Sequence, residues 1–323
     1  MIEEIRYCLN KKKHKLTGVL WECTSRCNLY CQHCYMNASS NNKEPELNTE
    51  EAIKVFSDMR KICSSKNPIL SITGGEPLMR EDLFVIVEKI RSYGFDWTLT
   101  TNGTLIDLEK SRKINELSPL AVSVSIDGLK DYHNSFRSGD NAFDNAIDGI
   151  NRLVAAGYKK EKIVIKTILR PEIVKEIYPI YKMILSLGIT SWHILTILDL
   201  GRAKSRDYYL NAEQIDLSNK IITELKGLCK MNITIDEGAS ILKEAGSECK
   251  RKCLSGSTSL SLLSNGDVIG CINSLRGKKH IQGNVLTKNI KEIWNKGFRE
   301  NRSIKWRGCS VHKYSRSNRN PNK

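Results

Sequence analysis

"CTSRCNLYCQHCY", Cys23 to Tyr35, puts four cysteines into thirteen residues and decides how the rest of the chain is read. Sulfur at that density serves either disulfides or metal and redox chemistry. The N-terminus, "MIEEIRYCLNKKKHKL", sets acids before its bases and holds no apolar run, so it reads as neither a secretory signal nor a membrane anchor. No later run approaches the roughly 18 apolar residues of a spanning helix. The expected location is the cytoplasm, where thiols stay reduced and clustered cysteines hold metal or do redox chemistry. Within the stretch, Cys27-x3-Cys31-x2-Cys34 puts three thiolates on one short loop, enough to grip three irons of a [4Fe–4S] cube and leave the fourth exposed. Starting the spacing at Cys23 fails, because its last step lands on Tyr30, so Cys23 is expected to be a buried or peripheral thiol. Zinc is the alternative for clustered thiolates, but structural zinc motifs usually come as paired CxxC units.

Outward from the cluster, apolar β-rich runs alternate with amphipathic segments. Strands are expected at 17–22, 68–73, 95–101, 120–126, 162–169 and 191–198. Between them lie helical patterns such as "TEEAIKVFSDMRKI", with Asn48 as N-cap and Glu51 at the capping-box position. Six strands, each followed by a helix, imply a parallel sheet with right-handed crossovers. Six is short of a closed eight-fold barrel, so the expected fold is α/β, an open partial (β/α)6 TIM barrel. Its chemistry would sit at the carboxyl ends of the strands, which is where the cysteine loop falls. Near residue 230 the pattern changes to two alternating runs around "SNGD" (264–267), a hairpin signal, then a short helix at 289–297. The expected organisation is an N-terminal extension at 1–16, the barrel at 17–229, a small cysteine-rich α+β unit at 230–312 and a basic tail at 313–323.

With 40% hydrophobic and 27% charged residues, the chain has the composition of an ordinary globular enzyme able to bury a full core. Its net charge of +15 would ordinarily raise nucleic acid or an acidic membrane as partners. The excess is uneven, however: residues 301–323 hold seven Lys or Arg and no acid, and four lysines lie in 11–15. These read as solvated ends, with no membrane partner and nucleic acid not expected.

On "CNLYCQHC" the sequence resembles the radical S-adenosylmethionine (SAM) enzymes, whose motif is CxxxCxφC with φ aromatic, here His33. The resemblance continues in "GGEP" (74–77), "TTNG" (100–103), "SVSIDG" (123–128) and "DYHNSFRSG" (131–139), which carries an H-x-x-x-R pattern. It implies that Cys27, Cys31 and Cys34 hold the cluster, that Gly74, Gly75 and Glu76 receive the amino group of SAM, and that His33, Asn102, Ser125 and Asp127 line the SAM site. Arg137 is then a candidate for the SAM carboxylate, and "LGRAKSR" (200–206) for the adenine edge. The implied chemistry is reductive cleavage of SAM to methionine and a 5′-deoxyadenosyl radical, which removes hydrogen from an unactivated C–H bond of the substrate. An electron donor such as flavodoxin or ferredoxin is implied as partner.

A second cysteine set comprises Cys249, Cys253, Cys271 and Cys309. The spacing Cys253-x12-Gly266-x4-Cys271 resembles the opening of SPASM and twitch extensions, which place thiolates around an auxiliary iron–sulfur cluster. The pattern then departs: "GCSVHKYSRSNRNPNK" has His312 where a CxxC would have its second cysteine. One auxiliary cluster is expected, with Cys249 or His312 as fourth ligand, and the ending reads as a twitch-like shortening or as a truncated or frame-shifted product. Zinc on these residues, or unliganded core cysteines, are the alternatives. The expected activity is that of an oxidoreductase or maturase acting on a ribosomally made peptide. A tetrapyrrole or other cofactor precursor is the alternative, then a carbohydrate. From another class, the rival is a zinc-stapled basic nucleic-acid-binding module.

Overall fold

The computed structural model describes residues 13–204, 206–235, 253–272 and 277–302. In chain order the principal elements are β1 (Gly18–Glu22), α1 (Thr49–Ile62), β2 (Ile69–Thr73), α2 (Leu83–Ser92), β3 (Asp96–Thr101), α3 (Leu108–Leu117) and β4 (Ala121–Ser125). There follow α4 (Lys130–Arg137), α5 (Ala142–Ala155), β5 (Ile163–Leu169), α6 (Ile177–Ser186), β6 (Ser191–Thr196), α7 (Ala212–Gly227) and β7 (Asn232–Ile235). The last are β8 (Ser259–Leu262), β9 (Asp267–Ile269), β10 (Ile281–Asn284) and α8 (Ile290–Lys296). All six expected strands form. Contacts divide the described residues into two units: 13–28, 38–99, 253–272 and 277–302 make the first, 29–37, 100–204 and 206–235 the second.

In the first unit β2 lies between β1 and β3, all parallel. Helix α1 starts as its sequence predicts: Asn48 Oδ1 accepts the Glu51 N–H and Glu51 Oε2 accepts the Asn48 N–H, both at 2.9 Å. Its Ala52, Val55, Phe56 and Met59, at helical spacing, form the buried face. Phe56 meets Trp21 of β1 edge-on at 5.2 Å. The C-terminal stretch shares this core: β8 pairs in parallel with β1, from Gly18 opposite Ser259 to Trp21 opposite Leu262. Leu260 and Leu262 are buried there, each such side chain stabilising by about 1.5–3 kcal/mol. The expected hairpin forms as β8 and β9, antiparallel, with Gly266 at φ +87° and the Asp267 N–H donating to Asn265 Oδ1.

In the second unit β4, β5, β6 and β7 pair in parallel in that order. From the sequence a border is expected between 229 and 230; β7 lies beyond it and pairs with β6, its Ile233 buried. Along β5 burial alternates, Ile163, Ile165, Thr167 and Leu169 covered and Val164, Lys166 and Ile168 half-buried, the period-two pattern of a sheet with one less covered face. Among the described residues, no helix is long and apolar enough to cross a membrane.

Candidate active site

In the first unit the chain leaves β1 into the cysteine loop, and the turn after β2 is fastened to it. The Gly75 N–H donates to the Thr24 carbonyl at 2.8 Å and the Glu76 N–H to the Arg26 carbonyl at 2.9 Å, one residue before Cys27. A Cβ on Gly74, at φ +145°, would stand 2.5 Å from the Thr24 carbonyl oxygen, and one on Gly75 would stand 2.2 Å from that of Arg26. The Gly-Gly pair therefore lets the second strand's turn press against the cysteine loop itself. Glu76 is fully buried, and one carboxylate oxygen accepts the Leu78 N–H at 3.1 Å. Cys27 is buried, its N–H donating to the Ser39 carbonyl. Cys23 is buried too, and burial pushes its thiol far up, which suits a bystander.

In the second unit the rest of the loop meets α4 and the segment after β6. The Gln32 N–H donates to the Phe136 carbonyl at 3.0 Å, and Tyr208 Oη donates to Gln32 Oε1. Arg202 donates from its backbone to the Cys34 carbonyl at 3.0 Å and from Nε to the Cys31 carbonyl at 2.7 Å. Gly201, at φ +56°, permits this, since a Cβ there would stand 2.2 Å from the Cys34 carbonyl oxygen. "LGRA", read from the sequence as an adenine edge, is thus seen clasping the cysteine loop. His33 stacks on Phe136 with centroids 4.4 Å apart. Burial drops its pKa to about 3, so the ring is neutral. Beyond Phe136 the guanidinium of Arg170 lies 4.1 Å from that ring and 4.0 Å from Tyr208, held by both oxygens of Glu172. This stack of rings and guanidinium carried no sequence signal, because its members are scattered over 175 positions.

The H-x-x-x-R pattern acquires a definite partner. Four residues apart on α4, His133 and Arg137 both turn to Asp127, just past the end of β4. The Asp127 N–H donates to His133 Nδ1 at 3.1 Å, while Arg137 Nε and Nη2 reach Asp127 Oδ2 at 2.8 and 2.7 Å. The other carboxylate oxygen accepts the Ile168 N–H. Burial pushes the Asp127 carboxyl up, but the Arg137 charge, helped by the Ile168 N–H, outweighs it and leaves the pKa below the ordinary value. The expected SAM-carboxylate ligand Arg137 is therefore engaged by Asp127, with Nη1 3.9 Å from Cys31 Sγ. Asn102 Oδ1 accepts from the backbone and hydroxyl of Thr104, and Ser125 sits half-buried at the end of β4.

Among the described residues no disulfide joins two cysteines. By their chemistry Cys27, Cys31 and Cys34 are three sulfur donors of the kind an iron–sulfur cluster takes, although among the described residues no three His, Cys, Asp or Glu side chains are already placed to hold one metal ion. Burial raises the Cys31 pKa, so a thiolate there calls for positive charge, part of which Arg137 supplies. In the first unit Cys253 and Cys271 line one cavity of about 370 Å³ with His280, Phe298 and Asn301. Two thiols and an imidazole whose Nε2 is buried without a hydrogen-bond partner are donors of the kind an auxiliary cluster takes, though among the described residues they do not make up a ready ligand set. Cys249, Cys309 and His312 lie outside the described residues.

The model of the radical SAM superfamily matches residues 21–184, and that of the SPASM iron–sulfur cluster-binding domain matches 253–318. The chain is 38% identical over 153 residues to an Fe-coproporphyrin III synthase of Methanosarcina barkeri, 47% of this chain and 38% of that protein. It is 30% identical over 293 residues to an AdoMet-dependent heme synthase of the same organism, 85% of this chain and 81% of that one. The crystal structure of Streptococcus suis SuiB bound to S-adenosylmethionine superposes with a TM-score of 0.70 at 17% identity, covering 97% of this chain and 71% of that chain. That likeness carries the fold, and with it the partial TIM barrel expected from the strand count. The chain belongs to the radical SAM superfamily and carries a SPASM iron–sulfur cluster-binding domain.

Proposed function

We propose that this enzyme works in the cytoplasm on a tetrapyrrole bearing carboxylate side chains. Cys27, Cys31 and Cys34 hold the SAM-binding cluster, and Gly74, Gly75, Glu76, Asn102, Ser125 and Asp127 surround SAM. The observation that supports the substrate class is the 293-residue similarity to a heme synthase, which spans 81% of that relative. From the sequence a ribosomally made peptide comes first and a tetrapyrrole second. The order is reversed because the likeness to SuiB, at 17% identity, speaks for the fold alone. When bound, cluster and SAM supply a one-electron cleavage that yields a carbon radical able to take hydrogen from the substrate. The chain's own part is to hold the loop rigid through Gly75 and Arg202, to fix Asp127 between His133 and Arg137, and to keep water out with the His33, Phe136, Arg170 and Tyr208 stack. An external one-electron donor of the flavodoxin or ferredoxin kind completes the system. The test is titration of anaerobically reconstituted protein with iron coproporphyrin III, followed by visible absorption and by deoxyadenosine release. A shifted absorption band and faster release are expected; no binding and no stimulation would overturn the substrate class.

A further inference from the structure

Lys166 is the fourth residue of β5, on the less covered face of the second unit's sheet. In register it stands between Ser125 on β4 and His193 on β6. Its ammonium donates to Thr100 Oγ1 at 3.1 Å, and among the described residues no carboxylate pairs with it. Three guanidiniums of the same unit are already engaged: Arg137 with Asp127, Arg170 with Glu172, and Arg202 with the Cys31 carbonyl. Burial alone acts on Lys166 and lowers its pKa to about 8, with no neighbouring acid to pull it back up, so it is still charged at pH 7. A half-buried cation without a counter-charge loses hydration that nothing replaces, and an anion arriving on this face would offset that loss.

We propose that Lys166 is the counter-charge for a carboxylate bound on this face, with the hydroxyls of Thr100 and Ser125 and the His193 ring beside it. A carboxylate can come from the substrate's side chains, which rests on the tetrapyrrole reading above, or from the methionine end of SAM, which does not. Neither source was assigned to Lys166 by any motif, because "KIVIKTIL" is legible from the sequence only as a strand.

The test uses the full-length, cluster-loaded protein and four ligands. These are SAM and its decarboxylated analogue, and iron coproporphyrin III and its tetramethyl ester. A charge-assisted hydrogen bond is worth roughly 1.5–3 kcal/mol, so Lys166→Met is expected to weaken one carboxylate ligand about ten- to a hundred-fold while leaving its neutral counterpart unchanged. Lys166→Arg should restore most of that affinity. Loss confined to SAM assigns the methionine carboxylate; loss confined to the porphyrin assigns the substrate. If Lys166→Met does not fold, wild-type protein still decides: it must prefer at least one carboxylate ligand over its neutral partner. Equal affinity of wild type for both members of each pair, or unchanged affinities in Lys166→Met, overturns the proposal. Should wild type fail to bind the porphyrin at all, the tetrapyrrole reading fails while the SAM pair goes on testing Lys166.

Discussion

Asp127 is where most of the second unit's buried charge converges. Removing its partner leaves an uncompensated carboxylate in the core, so Arg137→Met should cost about 3–5 kcal/mol in urea unfolding at pH 7. Because the folded pKa of Asp127 is depressed, this contribution is present above the ordinary carboxyl pKa and is lost as pH falls through the depressed value. His133 behaves in the opposite chemical sense. It is buried neutral with a pKa of about 3, whereas the unfolded chain takes up a proton below about 6.5. The fold therefore loses up to about 1.4 kcal/mol per pH unit as the pH drops from 6.5 toward 3. His133→Gln should flatten that slope, narrowing the gap to wild type by about 2 kcal/mol between pH 6.5 and 5. Parallel pH profiles would show that His133 is already charged in the folded state. At Glu76, Gln keeps an oxygen for the Leu78 N–H but removes the charge, so Glu76→Gln should weaken SAM about ten- to a hundred-fold in equilibrium binding. Their four-residue spacing makes His133 and Arg137 legible as a pair in the sequence. Their target is not legible there, because a helix repeat fixes which side chains share a face and says nothing of what that face meets.

At the level of elements, two glycine turns brace the cysteine loop, one in each unit. Gly75→Ala and Gly201→Ala should each push a Cβ into backbone that has nowhere to go, at 2.2 Å in both cases. Reconstituted protein should then hold less iron, while Gly227→Ala, with no atom within 4 Å, should load normally. Full loading of both turn variants would show that the loop is held elsewhere. The six βα strands were readable because apolar β-rich runs alternate with amphipathic helical patterns and leave few alternatives. The partners of β7 and β8 were not: "NITI" and "SLSL" are too short to declare which strand they join, and only the buried faces of β6 and β1 select them. The Asn265-Gly266 hairpin was readable because its turn demands a residue at positive φ.

For the whole molecule, the amino-acid pattern reached the family through one loop and four short motifs, since radical chemistry resides in cofactors that need few protein ligands. Substrate choice was out of reach of the same pattern, because no motif marks side chains such as Lys166, whose neighbours Thr100, Ser125 and His193 are brought to it only on folding. The auxiliary site is open to iron analysis. With Cys253 and Cys271 both changed to Ala, one cluster should be lost and the C-terminal strands loosened, while the SAM-cleaving cluster stays. The decisive measurement is release of 5′-deoxyadenosine from SAM under dithionite, comparing wild type with the variant in which Cys27, Cys31 and Cys34 are all Ala. Release by wild type and none by the variant is the predicted result; release that survives the triple substitution would contradict the assignment of the cluster and of the reaction.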